Sequence, residues 1–177
     1  MQTISTRIKS TSLLLVLLST ISCSSQSQNN APGQDPTVAI GAVLDELHAQ
    51  AAAANFDDYF ALYTDSAVFL GTDRDEYWPI EDFKTYAQPH FSAGTGWTYQ
   101  PLNRSVHIYE NTAWFEEELL SAKYGQVRGT GVLVRQSQLN GTVRWKVAQY
   151  NLTLPIPNSL FGDIAKEIDA HYNAATK

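Results

Sequence analysis

The chain has 177 residues, 44% of them hydrophobic and 11% aromatic, enough apolar material for one domain with a sizeable core rather than a disordered chain. Twelve Lys and Arg against 18 Asp and Glu give a net charge of −6 without a long basic run, which excludes the basic footprint of a nucleic-acid-binding surface. A single Cys excludes an intrachain disulfide framework and a cysteine-rich zinc site.

In chain order, Arg7 and Lys9 precede the apolar run Leu13-Leu14-Leu15-Val16-Leu17-Leu18, which is too short to span a bilayer as a helix. The run ends in Ser19-Thr20-Ile21-Ser22-Cys23. This pattern resembles a bacterial lipoprotein signal, in which a small residue precedes the Cys that is acylated, by palmitate or a similar chain, and becomes the new N-terminus. The only Cys of the chain stands where that processing needs one. The resemblance implies a signal peptide over 1–22 and lipidation at Cys23. It implies a protein of the bacterial cell envelope held to the membrane only by its lipid. Ser24 replaces the Asp that often marks inner-membrane retention, which favours the outer membrane. Residues 23–36 are polar and low in complexity, the composition of a flexible tether.

Asp35-Pro36 is a helix start, and Ile40, Val43, Leu44, Leu47, Ala51 and Ala54 follow at helical period, with Asn55 as the break. A short helix is expected over Asp57–Tyr63, burying Tyr59, Phe60 and Tyr63. A strand follows over 67–70, closed by Gly71. A third helix starts at Pro79, turns Ile80, Phe83 and Ala87 inward, and ends at Pro89 and Gly94-Thr95-Gly96. The period then changes to two. Strands are expected over Leu102–Tyr109, Ala113–Lys123, Arg128–Gln136 and Val143–Thr153, with Asn140-Gly141 as a hairpin signal. Pro155 and Pro157 stop the last strand. Ser159 can cap a C-terminal amphipathic helix over 159–177 carrying Leu160, Ile164, Ile168 and Tyr172. Helices followed by antiparallel strands define an α+β fold, with the helices covering one face of a curved sheet. Residues 45–82 hold ten acids and one base, and residues 101–146 hold four acids and six bases. That asymmetry serves solubility, or the docking of complementary surfaces.

Several strings occur in an order and spacing that resemble a known family. They are Phe56-Asp57-Asp58-Tyr59-Phe60-Ala61-Leu62-Tyr63, Ala67-Val68-Phe69-Leu70-Gly71-Thr72-Asp73, Ala113-Trp114-Phe115-Glu116-Glu117, Arg128-Gly129-Thr130-Gly131-Val132-Leu133 and Trp145-Lys146-Val147-Ala148-Gln149-Tyr150-Asn151-Leu152, ending in Leu154-Pro155-Ile156-Pro157-Asn158. Over residues 37–158 the chain resembles the SnoaL-like branch of the nuclear-transport-factor-2-like superfamily. The resemblance implies a cone: a bent antiparallel sheet closed by three helices around a pocket, in a protein that commonly forms homodimers through the outer sheet face. Superfamily members include isomerases, cyclases, dehydratases and pure binding modules, so the fold does not name a reaction.

Hairpin registers place candidate residues on the sheet. With a turn at Gly125-Gln126, Glu117 opposes Val134, Leu119 opposes Val132 and Ser121 opposes Thr130. With a turn at Asn140-Gly141, Val134 opposes Val147, Val132 opposes Gln149 and Thr130 opposes Asn151. One face then carries Phe115, Glu117, Leu119, Val132, Val134, Trp145 and Val147, while Glu116 pairs with Arg135 on the other. Glu117, Arg128, Thr130, Gln149 and Asn151 are expected to face the pocket, with Tyr63, Trp78, Tyr86, Trp97 and Phe91 supplying its apolar wall. Glu117 among apolar neighbours should have a raised pKa and is the candidate general base, Arg128 opposing that shift. The acid-and-tyrosine set of the superfamily's isomerases is not matched residue by residue.

His48, His90, His107 and His171 are scattered without paired ligand spacing, and Asp73-Arg74-Asp75-Glu76 lacks the spaced ligands of a calcium loop. No metal and no cofactor are expected. The leading expectation is an envelope lipoprotein whose domain binds a small, largely apolar ligand. An isomerase-, cyclase- or dehydratase-type enzyme with Glu117 as base and a dimeric assembly module for envelope proteins stand beside it.

Overall fold

Asp35 and Pro36 begin the first helix. In the computed structural model, which describes residues 35–137 and 141–175, the Asp35 carboxylate accepts from the Thr37 backbone N–H at 2.9 Å and Pro36 follows as the first helical residue. The cap satisfies a donor that helix geometry leaves unpaired. α1 (Pro36–Ala52) buries Ala39, Ile40, Leu44, Leu47, His48 and Ala51 as one stripe. The lipoprotein-like leader, Cys23 and Asn140 lie outside the described residues.

α2 (Phe56–Ala61) ends two residues earlier than expected, because Tyr63 opens β1 (Tyr63–Leu70). The Val147 N–H donates to the Leu62 carbonyl at 2.9 Å, so sheet pairing takes the backbone that the helix would have used. A short strand, β2 (Tyr77–Pro79), lies against β1. α3 (Ile80–Ser92) runs through Pro89, which costs only one bond so close to the helix end. Gly94, at φ 68°, then reverses the chain. The remaining strands are β3 (Tyr99–Tyr109), β4 (Thr112–Ser121), β5 (Gly125–Ser137) and β6 (Val143–Thr153), followed by α4 (Asn158–Ala175).

The six strands form one curved, unclosed sheet in the order β2-β1-β6-β5-β4-β3. Its neighbours are antiparallel except β1 and β6, which run parallel. α1, α2 and α3 cover its inner face, where Phe69, Phe83, Phe115, Leu119, Leu133 and Val147 are buried. α4 meets the body through Tyr172, whose hydroxyl donates to Asp73 Oδ1 at 3.0 Å and whose ring lies 3.6 Å beneath the Arg74 guanidinium.

The first hairpin differs from its expected register. Its loop is Ala122-Lys123-Tyr124, with Ser121 opposite Gly125. The Ser121 hydroxyl accepts from the Lys123 and Tyr124 N–H groups, and Gly125 takes φ 72° to re-enter the sheet, the geometry of a three-residue loop closed by a left-handed residue. Glu117 therefore faces Gly129, not Val134, and Leu119 faces Val127, not Val132. The change is an odd number of residues, so it exchanges the faces of β5. Glu116 pairs with Thr130, and the expected Glu116–Arg135 pair does not form. In the second hairpin Thr130 faces Asn151 and Val132 faces Gln149 as expected, but a bulge at Ala148 sets Leu133, not Val134, opposite Val147.

Candidate functional site

A cavity of about 490 Å³ opens between α1, α3 and the inner face of the sheet. Its walls are rich in aromatic rings: Phe69, Trp78, Phe83, Tyr86, Trp97 and Tyr150 all border it. Several rings lie nearly parallel. Trp78 stacks on Tyr86 with centroids 4.4 Å apart and faces Phe83 at an interplanar angle of 8°. Phe69 stacks on Phe83 at 4.1 Å. Phe83, Tyr150 and His48 are buried at the floor, whereas Tyr86, Lys123 and Tyr124 are exposed at the rim.

Behind the floor lies a buried polar network. Glu117, 1% exposed, sits on β4 with its side chain among three partners from three other elements. Arg104 of β3 donates from Nε to Oε1 at 2.7 Å, with Nη2 2.6 Å from the same oxygen. His48 of α1 places Nε2 3.0 Å from Oε2, and the Tyr150 hydroxyl of β6 donates to Oε2 at 3.2 Å. The Arg104 guanidinium also reaches α1, donating to the Gly41 carbonyl at 3.0 Å and to Asp45 Oδ1 at 2.8 Å. β5 makes room for the network. A Cβ on Gly129 would strike the Tyr150 hydroxyl, and one on Gly131 would strike the Gln149 carbonyl and the Phe115 ring.

These contacts correct the expected titration of Glu117. Burial pushes its carboxyl up, but the hydrogen bonds and charges of His48 and Arg104 outweigh burial and hold it below the ordinary value of 4.5. Arg128, expected to oppose the shift, is exposed on the other face of the sheet, and the opposing cation is Arg104. Burial, reinforced by the Glu117 charge, raises the Tyr150 phenol well above its ordinary value. Tyr99, at the side of the cavity, is pushed up to about 12, chiefly by burial.

Of the residues expected at the pocket, Trp78, Tyr86 and Trp97 line the cavity. Tyr63 is buried behind it, its hydroxyl 2.8 Å from that of Tyr59, and Phe91 packs on Trp97. Glu117 lies behind His48. Arg128, Thr130, Gln149 and Asn151 are on the opposite face, where Thr130 and Gln149 border a shallow depression with His107 and Trp114. The hairpin loop moved Arg128 and Thr130 across the sheet. Gln149 and Asn151 share their face by direct pairing with Val132 and Thr130.

Sequence reasoning missed His48, Arg104 and Tyr150. His48 carried a usable signal, as an ionisable residue in the buried stripe of α1 beside Leu44, Leu47 and Ala51. Arg104 carried another, alternating in β3 with the half-buried Val106 and Ile108. Among the described residues, no three His, Cys, Asp or Glu side chains converge to hold a metal ion.

A bent sheet capped by three helices over an aromatic cavity defines a nuclear-transport-factor-2-like cone. The match to the SnoaL-like domain model over residues 40–157 shows that the chain belongs to that family. None of the curated proteins matches it. Among solved structures, it is similar to a nuclear-transport-factor-2-like protein of unknown function from Pseudomonas putida, with 14% identity, 71% of this chain and 92% of that one covered, and a TM-score of 0.56. A nuclear-transport-factor-2-like protein from Cytophaga hutchinsonii aligns at 14% identity over 69% of this chain and all of that one, with a TM-score of 0.53. A protein of unknown function with a cystatin-like fold from Nostoc punctiforme aligns at 11% identity over 67% and 90%, also at 0.53. At these identities the likeness is one of fold.

Proposed function

We propose that the protein is a cell-envelope lipoprotein, anchored through Cys23, whose SnoaL-like domain binds a small, largely apolar ring compound. The observation that carries the reading is the wall of near-parallel aromatic rings around a cavity of about 490 Å³, a volume in the range of small-molecule sites. Stacked rings hold a flat apolar guest by dispersion and area burial, and their packing in the protein keeps them preformed. The apolar run and Ser22-Cys23 support the anchor. Among the described residues no helix is long and apolar enough to cross a membrane.

Indane, a flat bicyclic hydrocarbon, tests the cavity. It should bind the domain in isothermal titration calorimetry, and Trp78→Ala should weaken it about tenfold. No binding, or binding indifferent to Trp78, rejects the reading. Cys23→Ala should move the protein out of the membrane fraction of its host, and retention there rejects the anchor.

Catalysis of the isomerase, cyclase or dehydratase type is a second reading, favoured by the His48–Glu117 hydrogen bond at the cavity floor. Glu117 is a weak base for it, being engaged by Arg104, His48 and Tyr150 and held ionised. The acid–base role in that reading moves to His48.

A further inference from the structure

Of the polar groups around the cavity, His48 has the most constrained environment. It is 8% exposed, borders the cavity, and is contacted edge-on by Tyr99 at 6.3 Å and Tyr150 at 6.4 Å. Two rings and one hydrogen bond thus set the plane of the imidazole. Its Nε2 faces Oε2 of Glu117, and an ionised carboxylate can only accept, so Nε2 carries the hydrogen. In the neutral imidazole the other nitrogen, Nδ1, then holds a free lone pair. Among the described residues no group donates to Nδ1, and it is not one of the fully buried unpaired atoms. It therefore reaches open space, and the space that His48 borders is the cavity.

The other polar groups compete poorly as acceptors. The Tyr59 and Tyr63 hydroxyls bond each other, the Ser121 oxygen already accepts from two backbone N–H groups, and Glu76, His90 and Lys123 are not buried. Nδ1 is thus an oriented acceptor on the cavity floor, alongside the Tyr99 and Tyr150 hydroxyls that share the lining.

We infer that the cavity selects a flat ring compound bearing a hydroxyl group, which donates its hydrogen bond to Nδ1 of His48. Glu117 and Arg104 are positioning residues. Glu117 fixes the tautomer that leaves Nδ1 as acceptor, and Arg104 fixes Glu117 by bridging β4 and α1. This inference rests on the proposed ligand-binding reading and narrows the ligand to a hydrogen-bond donor.

Three probes of nearly equal shape separate the two claims: indane, 5-methoxyindane and 5-indanol. Their affinities are measured by calorimetry. Wild-type protein should bind 5-indanol about tenfold more tightly than either other probe, because only the hydroxyl can donate and its loss leaves the buried acceptor unpaired. Equal affinities for all three overturn the inference while leaving the cavity reading standing. Binding of none overturns both. His48→Gln keeps a donor within reach of Glu117 but has no ring nitrogen at the δ position, so the preference for 5-indanol should fall to about twofold or less. A folded variant that keeps the full preference overturns the role of His48. The wild-type series decides the donor requirement even if that variant does not fold.

Discussion

Replacing Arg104 by Met tests the buried network most directly. The guanidinium is the nearest cation to a carboxylate that is 1% exposed, and it also satisfies the Gly41 carbonyl and Asp45. Met fills similar volume without donors, so the change strands Glu117 with two weaker partners. Removing one member of a buried pair costs about 3–5 kcal/mol, and the exposed Asp45 adds little to that sum. In the wild type the Glu117 carboxyl is held below 4.5. A depressed folded value contributes stability that is complete above the unfolded value and is lost as pH falls through the folded one. Without Arg104 the folded value rises, so protonation relieves the variant before it harms the wild type. The stability gap should therefore be widest near neutral pH and shrink as pH falls toward 4.5. Urea unfolding followed by tryptophan fluorescence at several pH values measures it. The Glu117→Leu, Arg104→Met double variant should recover much of the loss, because it removes both charges. A gap below about 1 kcal/mol, the size expected of an exposed pair, or one that ignores pH, refutes the account.

Other expectations follow from particular contacts. Gly129→Ala should cost about 1–3 kcal/mol, since its Cβ meets the Tyr150 hydroxyl and approaches Glu117; thermal unfolding checks it, and an unchanged midpoint refutes the close packing. Glu117→Gln should flatten the acid limb of the stability profile, because the group whose value lies below 4.5 no longer titrates; an acid limb identical to wild type would assign the transition to other carboxylates. Tyr172→Ala should cost under about 1 kcal/mol yet speed amide exchange in α4, which meets the body through that ring at Asp73 and Arg74; unaltered exchange would mean that α4 is held elsewhere.

The fold was legible wherever one physical signal dominated. The apolar stripe and cap of α1, the alternation of β4 and the bounds of β6 all follow from periodicity and from Asp35-Pro36. The site was less legible because face assignment hangs on a single loop. Gly125-Gln126 looks like a turn by composition, but the Ser121 hydroxyl builds the turn three residues earlier and leaves Gly125 to close it. That local hydrogen bonding carried Arg128 and Thr130 to the outside. Glu117 stayed on the inner face because β4 alternates strictly, but its partners come from α1, β3 and β6. Their meeting depends on tertiary packing that no local pattern records. β2 was invisible for a related reason: three residues, one a proline, have no period of their own.

The bridge from Arg104 to Gly41 and Asp45 makes the first helix a fixed jaw. Lifting it would break the guanidinium contacts to Glu117 and α1 together, stranding charge in a nonpolar interior at a cost of several kcal/mol. The opposing rim, formed by Tyr86, Lys123 and Tyr124, carries no such penalty, for its side chains already stand in water. Opening at that rim is thereby cheaper than opening at α1, and a ligand of the proposed kind entering there would cross tyrosines before it met histidine.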